Sequence, residues 1–534
     1  MIEIQSSLEG IYAGMMGLVP LSFAVSAWLT SRSRSSDGSG AWSQANFVAA
    51  SAMALAISVA IAAATTGGGI LRAAVLPGIG GADPIELNLR MDPVACAMLL
   101  LVTFIGLVIV RFSRRYLDGD PGFLRYLRWL QATLAAVTLL VLTNNLLLLA
   151  LSWIATSLAL HQLLTHFPER PPALIAAHKK FLASRLAELS LLAAIGSIRS
   201  SVGSFEMDAL FAHLAAVSEP DRGLEGAALL LTVAAVLKCA QIPFHGWLIQ
   251  VMEAPTPVSA LLHAGVVNIG GFLMIRLAPL MVEVESVQLL LVAWGATNAV
   301  VAALVMTTRV SIKVALAWST AAQMGFMMLQ CGLGAFSAAM LHLIAHSLYK
   351  AHAFLNSGSV VTQSRSIEGA ALPVPDPRVT ILALLSAVTA TSAAYFAISL
   401  TVGVDHFHEP SGLVLAFILF LALTSWGWQV LSLKRRQSTF IALTSIAGLC
   451  LAYLASYAMV DHLMQPTRPT IDFPMSANLV FLGIAVAFAL SFALHAVSRR
   501  QGKSAWLAAL RTHAVNGFYI DALFRRVFDS LAKS

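Results

Sequence analysis

Long apolar runs recur along the whole sequence, and they decide what the chain can fold into. About fifteen of them have the roughly 20 residues that an α-helix needs to cross the hydrocarbon core of a bilayer. A soluble protein could not bury so much apolar surface, because 58% of the residues are hydrophobic and only 11% are charged. The sequence therefore predicts an all-α, polytopic membrane protein and excludes a disordered chain, a disulfide scaffold and a nucleic-acid-binding protein. The predicted spans are 10–30, 43–64, 92–112, 122–142, 144–165, 176–198, 225–245, 257–281, 287–306, 313–332, 335–358, 379–402, 411–431, 438–460 and 475–497.

The basic residues are distributed unequally between the loops that join these spans. Each loop is numbered by the span that it follows, and the C-terminal tail is counted as an odd loop. The odd loops then hold 24 of the 33 Lys and Arg residues, and the even loops hold five. Because cytoplasmic loops carry the excess of basic residues, we expect the N-terminus outside and the C-terminus in the cytoplasm. The first apolar run has no basic segment before it, so we expect it to remain as the first helix.

The sequence shows no cofactor motif. Its four cysteines lie far apart in apolar stretches, without a Cys-x-x-Cys pair. The glycine-rich segments 67–69 and 78–81 lack the residues of a phosphate-binding loop. No His, Cys and Asp residues have the spacing of metal ligands. We therefore expect reduced cysteines and no cofactor, metal site or catalytic residue in this chain.

Arg185 and Glu188 are charged residues within the sixth predicted span. A charge at the centre of a bilayer costs about 2.5–3.5 kcal/mol on insertion scales and needs a partner, water or a role. Residues three apart lie on one face of a helix, where these two can pair with each other. An internal ion pair and a role in charge transfer are both compatible with this pattern.

Lys238 ends a long apolar run and precedes residues that break a helix within the membrane. A broken membrane helix needs water or protein partners for its free backbone groups, so polar chemistry is expected there. A lysine at the break can exchange a proton, or its side chain can extend to the interface. The residues of the break and of the loop that follows it are Pro243, His245, Glu253, Pro255 and Pro257.

His342, His346 and Lys350 follow one another at intervals of four residues in the eleventh span. On a helix they form one slowly drifting face about 12 Å long, at 1.5 Å of rise per residue. Histidine gives and accepts protons near neutral pH, so the row can relay protons with intervening water. His263 and Lys313 are further candidates for the same path, although a single buried histidine is more commonly a packed residue.

The C-terminal tail alternates basic and aromatic residues, which is typical of an amphipathic cytoplasmic helix. Such a helix can hold a partner protein or lie on anionic lipid, and the second is the more common case. The residues expected to dock a partner are Trp506, Arg511, Phe518, Tyr519, Arg525 and Arg526.

Three segments resemble the antiporter-like membrane subunits of respiratory complex I and of Mrp-type cation/proton antiporters. Residues 238–264 begin Lys-Cys-Ala-Gln-Ile-Pro-Phe-His-Gly-Trp and continue through Met-Glu-Ala-Pro-Thr-Pro to a histidine. Residues 312–325 and 342–351 agree with the same family, and the resemblance covers roughly 85–400. It implies two inverted five-helix repeats with broken helices in the seventh and twelfth spans. We expect N-terminal helices in 1–112, the antiporter-like core in 113–431, C-terminal helices in 432–497 and the tail in 498–534.

The resemblance also implies roles for the charged residues. Lys238 is similar to the central proton-carrying lysine of the family, and the polar residues of the later spans would line the hydrated path. The sequence departs from the family at Ile154, which stands where these proteins have a glutamate that pairs with the lysine. Residues 389–398 carry no charge where the family usually has a Lys or Glu. We expect Glu188 to replace the missing glutamate as the counter-charge of Lys238.

Within this family, the form of residues 250–255 and 263–268 resembles the membrane subunits of bacterial inorganic-carbon accumulation complexes. The resemblance implies a bacterial inner-membrane protein, not an enzyme on its own, that couples cation flow, most simply of protons, to carbon uptake. It also implies a cytoplasmic partner similar to β-carbonic anhydrases, which would hold zinc. The alternatives are a proton- or sodium-pumping subunit of a respiratory or Mrp-type complex, and a scaffold that conducts nothing.

Overall fold

The computed structural model describes residues 2–33, 38–76, 85–358, 377–402, 410–431, 438–467, 469, 477–498 and 505–522. In these ranges the chain is helical, apart from one β-hairpin and the connecting turns. Every predicted span overlaps a helix, and eleven of the described helices are long and apolar enough to cross a membrane. The chain is therefore a multi-pass membrane protein of the predicted class, while its exact number of crossings, expected to be fifteen, stays a prediction.

The chain forms two compact units. The first consists of residues 1–287, 311–324 and 343–357, and the second of residues 288–310, 325–342 and 358–534. The division differs from the four predicted segments, whose boundaries stay a prediction.

The first unit contains twelve helices and the hairpin, together with parts of two later helices. Its helices are α1 (Ile2–Arg32), α2 (Ser39–Thr66), α3 (Pro93–Tyr116), α4 (Phe123–Leu142), α5 (Leu146–Leu164), α6 (Pro171–Val202), α7 (Met207–Ala216), α8 (Arg222–Lys238), α9 (Gly246–Gln250), α10 (Thr256–Ala264), α11 (Ile269–Arg276) and α12 (Ala278–Val282). Its strands are β1 (Gly69–Leu76) and β2 (Ile85–Met91). Residues 312–324 of α14 (Ile312–Gly332) and residues 343–355 of α15 (Phe336–Leu355) complete it.

The antiparallel hairpin was not predicted from the sequence. It begins with Gly69 opposite Met91, and Asp92 follows it directly. The Asp92 carboxylate accepts a hydrogen bond from the Ala95 backbone N–H at 2.8 Å, and Pro93 occupies the first turn of α3. An N-terminal cap followed by proline is a strong helix start, so the hairpin leads into α3 at a fixed point.

The second unit contains most of α13 (Glu285–Met306) and the remaining parts of α14 and α15. Its other helices are α16 (Pro377–Val402), α17 (Pro410–Leu431), α18 (Ser438–Met464), α19 (Ala477–Ser498) and α20 (Ala505–Val515). One core cluster joins Val292 of α13, Leu329 of α14, Val414 of α17 and Phe481 of α19. Glycines allow α13 and α14 to approach closely, as small residues do in membrane helices: a Cβ on Gly325 would lie 2.7 Å from the Ala299 nitrogen.

The break implied for the twelfth span is wrong. Residues 377–402 form the single helix α16, with Pro377 at its start. No proline follows within this helix and it contains no glycine, so nothing interrupts its backbone hydrogen bonding. The predicted break in the seventh span is confirmed, and it positions the candidate site.

Candidate proton-transfer site

The break after α8 places Lys238 at the end of a helix inside the first unit. Residues 239–245 form an irregular segment before α9. The Cys239 thiol donates to the Val267 carbonyl at 3.1 Å, and the Gln241 backbone N–H donates to the Val236 carbonyl at 3.1 Å. These bonds satisfy polar groups that the broken helix leaves free. Lys238 therefore lies where the regular helix ends and the following backbone N–H and C=O groups no longer have helical partners.

The Lys238 side chain is buried within the protein. Its ammonium donates a hydrogen bond to the Ser157 hydroxyl at 2.9 Å and lies 4.6 Å from the centre of the Trp153 ring. Only 4% of the residue is exposed. The alternative in which the side chain extends to the interface is therefore wrong: the hydroxyl and the face of the aromatic ring solvate the ammonium instead.

A second buried lysine converges on the same residue. Lys180 of α6 donates to the Ser157 backbone carbonyl at 2.8 Å and is almost fully buried. Lys180 lies within the sixth predicted span, 176–198, but it is not among the site residues predicted from the sequence. Its position among the first apolar residues of the sixth span was the signal that could have identified it. Ser157 thus accepts hydrogen bonds from two ammonium groups, one at its hydroxyl and one at its backbone carbonyl.

The carboxylate of this site comes from Glu188 of α6. Glu188 and Arg185 form an ion pair with 2.7 Å between nitrogen and oxygen, as their spacing predicted. The Glu188 carboxylate also interacts electrostatically with Lys238 and Lys180 and lies near Ser157. The side chain of Arg185 is 31% exposed, whereas that of Glu188 is 5% exposed. The arginine therefore lies at the outer side of the pair, and the carboxylate faces the lysines.

Ile154 does not contribute to this group. It lies on α5 and is half-buried, one turn before Ser157. The residue that contacts the lysines from α5 is thus a neutral hydroxyl, and the negative charge is supplied from α6. Spacing alone could not reveal Ser157, because buried serines in membrane helices commonly bond only their own backbone.

A second group of titratable residues lies around α10 and the segments of α14 and α15 in the first unit. His263 is fully buried, its Nδ1 lies 3.0 Å from the Thr320 hydroxyl, and its ring stacks on Phe354 at 4.4 Å. The Lys350 ammonium donates to the Leu316 carbonyl at 3.0 Å and interacts electrostatically with His263. The structure thus brings together the histidine and the lysine that the sequence analysis had placed in one path.

The remaining path candidates lie on two helices, α14 and α15. His342, His346 and Lys350 belong to one uninterrupted helix, α15, as predicted. His346 is buried in the first unit, whereas the ring Nδ1 of His342 lies 2.8 Å from the Gln330 side-chain oxygen in the second unit. Lys313 is half-buried and donates to the Thr256 hydroxyl at 3.0 Å.

The residues of the helix break and its loop occupy different environments. The His245 ring is buried, with its centre 4.8 Å from that of Trp318. Pro243 precedes α9, and Pro255 and Pro257 are buried at the start of α10. Glu253 is exposed in a short turn. Of these residues, only His245 presents a buried titratable group.

Several polar atoms of the first unit are buried without a protein partner among the described residues. Those on α10 and in the irregular segments near it belong to Gln241, Ser259, His263 and Asn268. Buried polar atoms without partners are rare in proteins, and water commonly satisfies them. Their position on α10 and around the helix break fits a polar route through this part of the molecule.

The tail is described as far as residue 522, so Arg525 and Arg526 lie outside the described residues. Trp506, Arg511 and Tyr519 are exposed, and Phe518 is half-buried in the turn after α20. The Arg309 guanidinium donates to the Ala514 carbonyl at 3.3 Å within the second unit, and burial lowers the pKa of Arg309. The docking role of the tail stays a prediction.

Two family models match the chain. The model described as NADH:quinone oxidoreductase/Mrp antiporter, TM, matches residues 143–441. The model described as NADH-Ubiquinone oxidoreductase (complex I), chain 5 N-terminus, matches residues 80–127. The first of these matches covers the Lys238 site, the helix break and the group around His263 and Lys350.

Two solved structures show the same fold. A chain of the Mrp complex from Dietzia sp. superposes with a TM-score of 0.56 at 22% identity, over 99% of this chain and 57% of that one. A chain of the membrane-bound sulfane sulfur reductase, an archaeal respiratory membrane complex, has a TM-score of 0.57 at 17% identity, over 96% and 99% of the two chains. Our chain thus spans little more than half of the Mrp subunit. At these identities the likeness concerns the fold alone.

Curated relatives are more similar in sequence. The “Probable inorganic carbon transporter subunit DabB” of Hydrogenovibrio crunogenus is 38% identical over 445 residues, which is 82% of each chain. The corresponding DabB2 of Halothiobacillus neapolitanus is 37% identical over 464 residues, which is 86% of this chain and 82% of that protein. The chloroplastic NAD(P)H-quinone oxidoreductase subunit 5 of Carpenteria californica is 34% identical over 317 residues, but only 43% of that protein is covered. The family models and these relatives confirm the resemblance found in the sequence, and the chain belongs to the DabB membrane subunits, within the antiporter-like proteins of complex I and Mrp complexes.

Proposed function

We propose that this chain is the cation-translocating membrane subunit of an energy-coupled inorganic carbon uptake complex, and that the cation is a proton. The names of the DabB relatives support inorganic carbon as the transported substrate. The observation that carries the proposal is the buried contact of Lys238 with Ser157, beside Glu188 and Lys180. Buried lysines serve as proton-exchanging groups in proteins, and a site with one carboxylate and several bases can hold or release a proton without a bound metal.

The proposed path uses the two groups of the first unit. A proton taken up by Lys238 changes the charge of this side chain beside the Glu188 carboxylate. His263, His346 and Lys350 then exchange protons in turn through water, with Lys313 at one end near Thr256. The buried polar atoms of Gln241, Ser259 and Asn268 support a wet route. His245 stands beside the break, where it can pass a proton to or from this route.

The energy of such a proton movement is sufficient for uptake. One elementary charge that crosses a potential of about 100 mV releases roughly 2.3 kcal/mol. A displacement of the CO2/bicarbonate ratio tenfold beyond its equilibrium value requires about 1.4 kcal/mol. One proton per CO2 converted can therefore sustain more than a tenfold displacement.

The carbon chemistry is assigned to a partner. We infer that a cytoplasmic zinc protein similar to β-carbonic anhydrases converts CO2 to bicarbonate, and that proton movement in this chain makes the conversion directional. The chain would lie in the bacterial inner membrane, with its N-terminus outside and its tail in the cytoplasm. The exposed Trp506, Arg511 and Tyr519 are the surface on which the partner would dock, whereas anionic lipid is the other occupant of such a tail.

Two departures favour this function over a complete respiratory pump. Ile154 replaces the glutamate that the pumps carry, and residues 389–398, within the continuous helix α16, carry no charged side chain. A chain in which protons cross by one route can lack these two charges, whereas the resemblance implies that a respiratory pump carries both. A respiratory subunit would instead show quinone-linked or Na⁺/H⁺ exchange activity.

The test is inorganic carbon uptake by cells that carry the complex with Lys238→Ala. We expect uptake to be lost while the partner still copurifies with its zinc. The control is Lys179→Ala, which removes a half-buried lysine of α6 outside the site and should leave uptake unchanged. Uptake retained in Lys238→Ala would remove this lysine from the mechanism, and a copurifying partner without zinc would contradict the carbonic-anhydrase assignment.

A further inference from the structure

A basic cleft lies at one end of α2 and α3 in the first unit, apart from the proton-transfer site. It has a volume of about 1180 Å³. Three arginines in the last two turns of α3, Arg111, Arg114 and Arg115, line it together with Ser43 and Asn46 near the start of α2. By the distribution of basic residues, this end of the helices faces the cytoplasm.

The residues that line the cleft carry positive charges and no negative charge. None of the three arginines forms a salt bridge with another residue that the structure describes, and no acidic residue lines the cleft. The start of α2 points to the same end, with no side-chain cap at Gly38 and no acidic residue in its first turn. Because the first N–H groups of a helix favour an anion, they add to the positive field of the arginines.

An apolar groove continues from this cleft along α3. The Phe112 ring lines both of them. The groove has a volume of about 390 Å³, and Phe104, Val108 and Phe112, at intervals of four residues, form its wall on α3. The opposite wall belongs to α15, which contributes Leu348 and Leu355. The positively charged cleft and the mainly apolar groove along α3 thus adjoin each other at the Phe112 ring.

The outer face of α2 lies beside the same opening. From Ser43 in the cleft, exposed residues recur every three or four positions along α2 through Phe47 and Ile57 to Ile61, and Phe47 is 73% exposed. From Phe47 to Ile61 the exposed apolar residues form one stripe about 21 Å long at 1.5 Å per residue. The polar residues of the cleft lie at the end of this stripe, so we expect the cleft at the level of the lipid headgroups.

We propose that the cleft and the groove together bind an anionic phospholipid. The phosphodiester of the headgroup lies among Arg111, Arg114 and Arg115. A guanidinium group can donate two parallel hydrogen bonds to the oxygens of one phosphate. One acyl chain fills the groove between α3 and α15, and the other lies on the exposed stripe of α2. A free phosphate or bicarbonate ion would use the cleft but not the groove, and the continuity at Phe112 therefore favours a lipid.

The bound lipid would contact the helix that carries two residues of the candidate proton path. His346 and Lys350 lie on α15, whose residues 348–356 provide one wall of the groove. The lipid would thereby support the position of α15 against α3. The site itself does not depend on the proposed function, because its residues are outside the group around Lys238.

The test uses the full chain, purified in mild detergent, stripped of lipid and titrated with phosphatidylglycerol or phosphatidylcholine while bound lipid is counted by native mass spectrometry. We expect at least tenfold tighter binding of phosphatidylglycerol. The triple variant Arg111→Gln, Arg114→Gln and Arg115→Gln should lose this preference. The control pair Arg125→Gln and Arg128→Gln, on the same side of the membrane but not lining the cleft, should keep it.

A second variant and a competitor separate a lipid from a free anion. Val108→Trp fills the groove without changing the charge, so it should weaken phosphatidylglycerol binding at least tenfold. Glycerophosphate and inorganic phosphate at millimolar concentrations should not displace the lipid. Equal binding of the two lipids, full binding by the triple variant or by Val108→Trp, or displacement by inorganic phosphate would each overturn the proposal.

Discussion

The Ser157 hydroxyl accepts a hydrogen bond from the Lys238 ammonium at 2.9 Å. The backbone carbonyl of the same serine accepts one from Lys180 at 2.8 Å. One small residue of α5 therefore orients two buried lysines, one turn after Ile154. The carboxylate that interacts with both lysines belongs to Glu188 on α6, and neutral Ser157 accepts a hydrogen bond from each lysine.

Ser157→Ala should lower proton flux through the reconstituted complex at least tenfold. The variant leaves the Lys238 ammonium without its hydroxyl partner in a buried site, where an unsatisfied charged donor is costly. Ser157→Thr restores a hydroxyl and should recover most of the flux. The matched control is Ser190→Ala on α6, whose exposed hydroxyl bonds only the Leu186 carbonyl. Flux is measured with a pH-sensitive dye inside proteoliposomes, and normal flux in Ser157→Ala would exclude a role for the bridge.

Glu188→Gln should reduce flux at least as strongly as Ser157→Ala. It removes the carboxylate that faces Lys238 and Lys180 and leaves their charges uncompensated in a buried place. Arg185→Gln should have a smaller effect, because this side chain is partly exposed and water can replace it. If both substitutions reduced flux equally, the two residues would act as an internal ion pair and Glu188 would not serve as the counter-charge of Lys238.

Asp92→Ala should destabilise the first unit. Asp92 caps α3 and forms a buried ion pair with Arg276 of α11. Removal of one partner of a buried pair costs about 3–5 kcal/mol, and loss of a helix cap typically costs about 1 kcal/mol. Asp92→Asn can retain the cap and should lose less. The free energy of unfolding is measured by denaturant titration in detergent. Asp118→Ala, at an exposed position, is the control, and an equal stability of the two alanine variants would contradict the role of the pair.

Gly325→Ala should destabilise the second unit by about 1–3 kcal/mol, the usual cost of overpacking. The added methyl group would meet the Ala299 backbone nitrogen of α13 at 2.7 Å, and a backbone cannot move aside as a side chain can. Gly448→Ala is the matched control on α18, since its Cβ would meet nothing within 4 Å. The midpoint temperatures of thermal unfolding of the two variants are compared. Equal midpoints would mean that α13 and α14 can move apart without loss of stability.

The helices were predictable because the bilayer imposes one length and one polarity on every span. Lys238, with its run of proline and glycine, identified the first break for the same reason: few residues interrupt a membrane helix without a purpose. The i, i+3 spacing also predicted the ion pair of Arg185 with Glu188. Periodicity thus gave the helices, the main break and one pair of the candidate site.

The remaining features depend on contacts between elements that are far apart in sequence. Nothing local distinguishes Ser157 from other serines, and the position of Lys180 near the start of the sixth predicted span does not reveal its contact with α5. Each strand of the β-hairpin is too short to produce the apolar run of about 20 residues by which a membrane span is identified. The continuous helix α16 follows from its own sequence, which lacks internal proline and glycine, and here the family resemblance misled where the local residues did not.

Proton flux in Lys238→Gln tests the central claim most directly. The complex is reconstituted in proteoliposomes, a membrane potential is imposed with potassium and valinomycin, and the internal pH is followed. Glutamine keeps a hydrogen-bond donor for Ser157 but cannot exchange a proton near neutral pH. We predict that flux falls to the level of empty liposomes while the complex remains assembled. Flux equal to that of the unmodified complex would show that protons, if they cross this subunit, do so without Lys238.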